Sequence, residues 1–236
     1  MKLTTVLFDL DGTLLPMDED IFIKNYFGKL VAKLAPFGYE PEKLIQAIWT
    51  GTKAMIMNDG AATNENVFWN TFTGIYGKES IKDMGIFEDF YRVEFQEVRT
   101  ICGKTDKVDE IIRQLKEMGL RVVLATNPLF PKIATHSRIR WAGLQPEDFE
   151  YITTYENSHY AKPNPKYYEE ILNNIGVSSK ECIMVGNNTD DDMVAGTLGM
   201  KTFLMPECLI NKGEKDLSCY PQGNLNDLLK YIKSME

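Results

Sequence analysis

The sequence predicts an α/β protein: a doubly wound parallel sheet with a long all-helical insertion after its first strand. Three observations predict it. Short apolar runs at residues 3–8, 121–125 and 182–185 each end in small polar or acidic residues. Segments with apolar residues at helical spacing separate the later runs, and strand–helix alternation of this kind implies a parallel sheet. From Pro16 to about Thr100 the helical pattern continues with no convincing strand.

The first run reads as a buried strand leading into Asp9-Leu10-Asp11-Gly12-Thr13. A buried strand seldom ends in two acids, because ionised carboxylates are costly to desolvate without a partner. The pair is therefore either an acidic surface turn or a site. After Pro16, Phe22, Tyr26, Phe27, Leu30, Val31 and Leu34 recur at helical spacing. A second helix is predicted over residues 42–56, behind Pro41 at a favoured first-turn position. A third begins near Thr63 or Asn64 and carries Val67, Phe68, Phe72 and Ile75, and a fourth carries Phe87, Phe90, Tyr91 and Val98. Most of the phenylalanines, with Trp49 and Trp69, fall in this segment, so it can build a small core of its own.

From Lys104 the alternation resumes. Thr105 is expected to cap a helix whose Val108, Ile111, Ile112, Leu115 and Met118 form one apolar face, closed by Gly119. A strand at 121–125, a helix at 131–141 and a weaker strand at 151–153 follow. Asn164 and Pro165 serve as cap and first position of the next helix, with Gly176 past its end. The strand at 182–185 leads into the loop Gly186-Asn187-Asn188-Thr189-Asp190-Asp191-Asp192. A short helix, a strand at 201–204 and a C-terminal helix from about Asn224 complete the reading.

Bulk properties exclude several classes of function. The 236 residues are 44% hydrophobic and 25% charged, as in soluble globular proteins, with a formal charge of -8. That charge argues against nucleic acid as a partner, since phosphate backbones reward clustered Lys and Arg. No apolar run approaches the roughly 20 residues of a membrane span, and no signal-peptide pattern opens the chain. Cys102, Cys182, Cys208 and Cys219 form no C-x-x-C pair, which disfavours a zinc site or disulfide framework and suits a reducing cytoplasm. A cytoplasmic monomer or homodimer without membrane or nucleic-acid partners is expected. With only His136 and His159 available, carboxylates would do any metal work, which points to a hard cation such as Mg2+.

In doubly wound sheets, ligands gather outside the carboxyl ends of the strands. Asp9 and Asp11, Thr126 and Asn127, and the run from Asn187 to Asp192 all follow predicted strands, so they should converge. Taken singly, each has a plainer explanation. Thr126 could cap a turn, Lys162 before Pro163 could be a solvated loop lysine, and residues 190–192 could be acids at a helix start, where the macrodipole favours them.

Together these residues resemble the haloacid dehalogenase superfamily, and within it the phosphatases with a helical cap. Four motifs occur in order: Asp9-Leu10-Asp11-Gly12-Thr13, Thr126 after an apolar strand, Lys162 in Ala161-Lys162-Pro163-Asn164-Pro165, and the Gly-led acidic loop after Val185. The resemblance implies a Rossmann-like core of residues 1–15 and 101–236 and a cap of residues 16–100. It implies an Mg2+-dependent phosphatase acting on a small phosphorylated metabolite. Asp9 would be the nucleophile and a metal ligand, and Asp11 the acid–base, binding metal through its carbonyl. Thr126 and Asn127 would hold the phosphate, Thr13 would orient Asp9, and Lys162 would keep Asp9 ionised and contact substrate. Asn187, Asp191 and Asp192 would complete the metal set. Many members carry Asp where Asn187 stands, so one negative charge is missing. Counting from Gly186 favours Asp192 as the ligand, whereas counting back from Gly199 favours Asp191.

A sugar phosphomutase on the same scaffold and a non-catalytic metabolite-binding or regulatory protein are the alternatives. Dehalogenation needs neither the second acid nor a metal, so Asp11 and the acidic loop argue against it. In the insertion, Lys53, Arg92 and Arg99 could meet an anionic substrate, and Trp69 or Tyr91 could stack on one. Pro16 and residues 100–103 are the expected hinges of the cap.

Overall fold

A computed structural model describes residues 2–235. Its centre is Thr5–Phe8 (β1), whose four residues are all buried. Val6 and Phe8 point into one apolar cluster and Leu7 into another, because side chains alternate across a strand. Arg121–Leu124 (β2), Tyr151–Ile152 (β3), Cys182–Gly186 (β4) and Lys201–Leu204 (β5) complete a five-stranded parallel sheet in the order β3-β2-β1-β4-β5. The chain runs outward from β1 through β2 to β3, then crosses back to β4 on the other flank. Such a reversal opens a crevice at the carboxyl ends of the two strands that straddle it, here β1 and β4.

Between β1 and β2 lie five helices, Glu19–Leu34 (α1), Pro41–Ile56 (α2), Asn64–Tyr76 (α3), Met84–Arg92 (α4) and Val108–Glu117 (α5). The first four form the cap. Asp18 and Thr63 cap α1 and α3 by accepting from Ile21 N and Asn66 N, and Pro41 opens α2. The cap is built around aromatic rings. Phe72 is fully buried, stacked on Tyr76 at 5.0 Å between ring centres and edge-on to Phe87 at 5.4 Å. Tyr26 lies edge-on to Phe90 at 5.8 Å. The apolar cluster is continuous from the cap into the face of the sheet that carries α5 and Leu225–Lys233 (α8). Lys132–Trp141 (α6) is tied to the cap, since Gln96 donates to Ser137 Oγ at 2.9 Å and accepts from Trp141 Nε1 at 3.2 Å. Pro165–Ile175 (α7) covers the opposite face.

Several local expectations change. Thr105 does not cap α5. The residue before that helix is Lys107, at φ 60°, while Thr105 Oγ1 donates to the Leu14 carbonyl at 3.0 Å and stitches the cap exit to the first strand–turn. The fourth cap helix stops at Arg92, and a tight 3-10 segment, Glu94–Ile101, carries Val98 onward. The acidic loop is likewise followed by a 3-10 segment, Met193–Leu198. Trp49 packs on Phe27 at 5.5 Å but remains 46% exposed, so it is not part of the cap core. The two expected hinge segments lie side by side, with Gly103 N donating to Pro16 O at 2.7 Å.

Truncation of Phe72 would leave a void among five rings, those of Tyr39, Phe68, Trp69, Tyr76 and Phe87. Phe72→Ala should destabilise the protein by about 3–5 kcal/mol, read as a lower urea midpoint with an unchanged slope.

Candidate active site

The end of β1 is locked on both sides. Asp9 N donates to Val185 O at 2.9 Å, and Ala125 N donates to Phe8 O at 2.7 Å. Asp9 thus leaves the sheet at a defined point beside the ends of β2 and β4. The chain then turns tightly, with Gly12 N bonded to Leu15 O at 2.8 Å. Gly12 adopts φ +80°, and a Cβ there would stand 2.2 Å from Asn187 Nδ2, so only glycine permits the close approach of the acidic loop. Gly186 has the same role opposite, where a Cβ would meet Asp192 Oδ2 at 2.1 Å.

Lys162 is the charge centre of the site. Its Nζ donates to Asp9 Oδ1 at 2.8 Å and to Asp192 Oδ1 at 2.6 Å, with all three residues buried. Burial alone would lower the Lys162 ammonium, but Asp192 and Asp9 override it and hold it well above its ordinary range. Burial pushes the Asp192 carboxyl upward, against the pull of Lys162. Both groups that Asp192 accepts from are donors, Lys162 Nζ and Asn188 N at 2.9 Å, so the geometry serves the carboxylate. Thr13 Oγ1 lies 3.2 Å from Asp9 Oδ2 and 3.1 Å from Asn187 Oδ1, which joins the turn to the loop.

Neighbouring tyrosines on α7 hold the other two strand ends. Tyr167 Oη donates to the Thr126 carbonyl at 2.8 Å, and Tyr168 Oη donates to the Asp191 carbonyl at 2.7 Å. Asn127 Oδ1 accepts from Lys162 N at 3.3 Å. Asp9, Asp11, Thr126, Asn127, Lys162, Asn187, Asp191 and Asp192 therefore all line one cavity of about 830 Å³ between sheet and cap. The strand-end and loop residues predicted from the sequence are brought together.

The sequence reading missed Arg138. It is 1% exposed on α6, pairs through Nη1 with Asp11 Oδ2 and lies over the Phe130 ring at 4.5 Å. One signal was present, since Ala134, Arg138 and Trp141 share a stripe of α6, and an arginine on a buried stripe requires an acid nearby. The guanidinium occupies Oδ2, while Asp11 Oδ1 is buried without a partner. Burial pushes the Asp11 carboxyl up to about 6, against the Arg138 charge and helped by Asp9. About a third of the Asp11 side chain is accessible, and it faces the cavity. The cap cations suggested by the sequence lie elsewhere. Lys53 and Arg99 are exposed and outside this cavity, and Arg92 pairs with Glu88 at 3.2 Å. Trp69 and Tyr91 do line it.

The donor set at the end of β1 and β4 is all oxygen. The Asp9 and Asp191 carboxylates, the Asp11 carbonyl and Asn187 Oδ1 would form it, since all four residues line the cavity. Asn187 Nδ2 donates to Cys208 O at 2.6 Å, which turns Oδ1 towards Thr13. Among the described residues, no three His, Cys, Asp or Glu side chains form a metal cluster by themselves. Amide and main-chain oxygens would therefore complete the shell, and such a hard set fits Mg2+.

The model of the haloacid dehalogenase-like hydrolases matches residues 3–197. The chain belongs to this family. Pyrophosphatase PpaX of Bacillus velezensis is 25% identical over 219 residues, covering 93% of this chain and 89% of the relative. A 2-haloacid dehalogenase from Pseudomonas syringae shares the fold with TM-score 0.65 at 18% identity, covering 99% of this chain and 100% of that one. The HAD-hydrolase YfnB of Bacillus subtilis, described as bound to magnesium, has TM-score 0.57 at 18% identity, covering 98% of this chain and 99% of that one. Helices α1–α4 of the insertion between β1 and β2 are the cap of this haloacid dehalogenase-like hydrolase, and no described helix is long and apolar enough to cross a membrane.

Two outcomes follow from the buried Asp11–Arg138 pair. The Asp11 carboxyl rises from 3.8 when unfolded to about 6 when folded, so its stabilising protonation is full below pH 3.8 and lost as pH rises through 6. Asp11→Asn should remove this part of the pH dependence, seen as a flatter melting-temperature profile between pH 4 and about 6. Arg138→Met strands the Asp11 charge and should cost about 3 kcal/mol at pH 8 in chemical denaturation, and less at pH 5, where Asp11 can protonate.

Proposed function

We propose that this hydrolase is an Mg2+-dependent phosphatase that cleaves a small phosphorylated metabolite through an aspartyl-phosphate on Asp9. The observation that carries this reading is the pairing of two differently treated acids on one turn. Asp9 is held by a buried ammonium and a hydroxyl, whereas Asp11 is raised by burial and keeps one oxygen unpartnered. A nucleophile must stay ionised and a general acid must hold a proton, and these environments separate the two roles.

In the first step Asp9 attacks phosphorus, the bond to the leaving oxygen breaks, and Asp11 gives that oxygen its proton. In the second, Asp11 takes a proton from water as the water attacks the aspartyl-phosphate, releasing phosphate and restoring Asp9. The Thr126 hydroxyl, the Asn127 N–H and Lys162 hold the phosphate oxygens. Arg138 keeps the Asp11 carboxyl oriented through Oδ2. Asp9, the Asp11 carbonyl, Asn187 and Asp191 would hold Mg2+, which would supply charge neutralisation of the phosphoryl oxygens. Asp192 is committed to Lys162 and serves the ammonium rather than the metal. The same reading divides the chain into a core of residues 1–15 and 101–236 and a cap of residues 16–100, which excludes water when closed.

Phosphate release from a panel of phosphomonoesters tests the proposal, and silence across the panel in the presence of Mg2+ would overturn it. Asp9→Asn should abolish release while the fold survives. Asp11→Asn should lower kcat by ~10²–10⁴-fold. Chelation of Mg2+ should stop turnover and its return restore it.

A further inference from the structure

The reaction needs charge at one end of the cavity only, and the rest of the cavity has a different character. At about 830 Å³ it is far larger than a phosphate group requires and lies in the range of sites that enclose drug-sized ligands. Its cap side is formed by rings, among them Phe22, Trp49, Phe68, Trp69, Phe87 and Tyr91. The polar tips of Tyr91 and Trp69 are already used. Tyr26 Oη and Tyr91 Oη bond each other at 3.0 Å, and Trp69 Nε1 donates to Tyr155 Oη at 3.4 Å. A sugar hydroxyl entering here would lose water and find partners already engaged.

The charges point the same way. Among the described residues, the lining carries two ammonium groups and no guanidinium. Lys162 is committed to Asp9 and Asp192 at the phosphate end. Lys212 is at the rim, 79% exposed, and faces Glu19 at 3.8 Å. Asp18, Glu19, Asp20 and Glu88 also line the cavity, so a second phosphate or a carboxylate on the substrate would meet like charge.

We infer that the substrate is a monophosphate ester whose leaving group is large, flat, uncharged and weakly polar, an aromatic or fused-ring alcohol rather than a compact polyanion or a sugar. This rests on the phosphatase reading above. Flat rings fill such a wall by offset and edge-on stacking, and they bury apolar area without demanding hydrogen bonds. The single phosphate then takes all of the available positive charge, and the cap provides affinity for the leaving group.

The test compares kcat/KM of the full-length enzyme with Mg2+ on 1-naphthyl phosphate, pyrophosphate, phosphoglycolate, glucose 6-phosphate and phosphocholine. 1-Naphthyl phosphate should exceed each of the others by ~10²-fold or more, about two decades of transition-state discrimination. Trp49→Ala, at a half-exposed position where folding should survive, should lower kcat/KM for 1-naphthyl phosphate about tenfold more than for acetyl phosphate. Preference for pyrophosphate, phosphoglycolate, the sugar phosphate or phosphocholine would overturn the substrate class and leave the phosphatase reading standing. Absence of release from every ester would overturn the phosphatase reading. Calorimetry with Asp9→Asn tests the class without turnover. Tighter binding of 1-naphthyl phosphate than of pyrophosphate supports it, and equal or reversed affinities overturn it.

Discussion

The site depends on one buried ammonium. Lys162 Nζ lies between Asp9 and Asp192 at 2.8 and 2.6 Å, with almost none of the three side chains reaching solvent. Desolvating three charges is expensive, and only close mutual contact compensates. That constraint reaches far along the chain. It requires the end of β1, the start of α7 and the loop after β4 to meet at one point. The parallel sheet satisfies the requirement because β1 and β4 are neighbours and both expose their carboxyl ends to the same crevice.

Around this centre, small residues and fixed hydrogen bonds set the spacing. Gly12 and Gly186 leave room for Asn187 and Asp192, and Thr13 touches both Asp9 and Asn187. The tyrosine pair of α7 anchors Thr126 and Asp191 by their carbonyls, so the side chains at both strand ends remain turned to the cavity. Asp11 belongs to a second, separate charge pair with Arg138. Two acids two residues apart thus have different counter-ions, an ammonium for one and a guanidinium for the other. Their electrostatic environments differ for that reason.

The cap contributes acids and much aromatic surface to the cavity but, among the described residues, no cation. Its own stability and its contribution to the cavity come from the same rings, since Trp69 and Phe87 both pack in the cap core and line the cavity. A change in substrate preference by mutation of these residues would therefore also affect cap stability, whereas Trp49, half exposed, is partly free of that coupling.

Periodicity and punctuation in the sequence were enough for the parallel sheet, the helical insertion and most element ends. Asn164, Pro165 and Gly176 bound α7 as local chemistry demands. The convergence of Asp9, Asp11, Thr126, Asn127, Lys162 and the acidic loop was also legible, because strand ends in a parallel sheet share one edge. What local patterns could not show was the choice of partner. Thr105 abandons its helix for the Leu14 carbonyl, Asp192 takes Lys162 while Asp191 stays free of it, and Arg138 reaches Asp11 from 127 residues away. Helix and strand signals arise from neighbours a few residues apart, so the sequence by itself determined the elements and the edge where chemistry gathers. Which charges neutralise one another depends on distances of a few ångströms between remote segments, and the tertiary structure alone decided that.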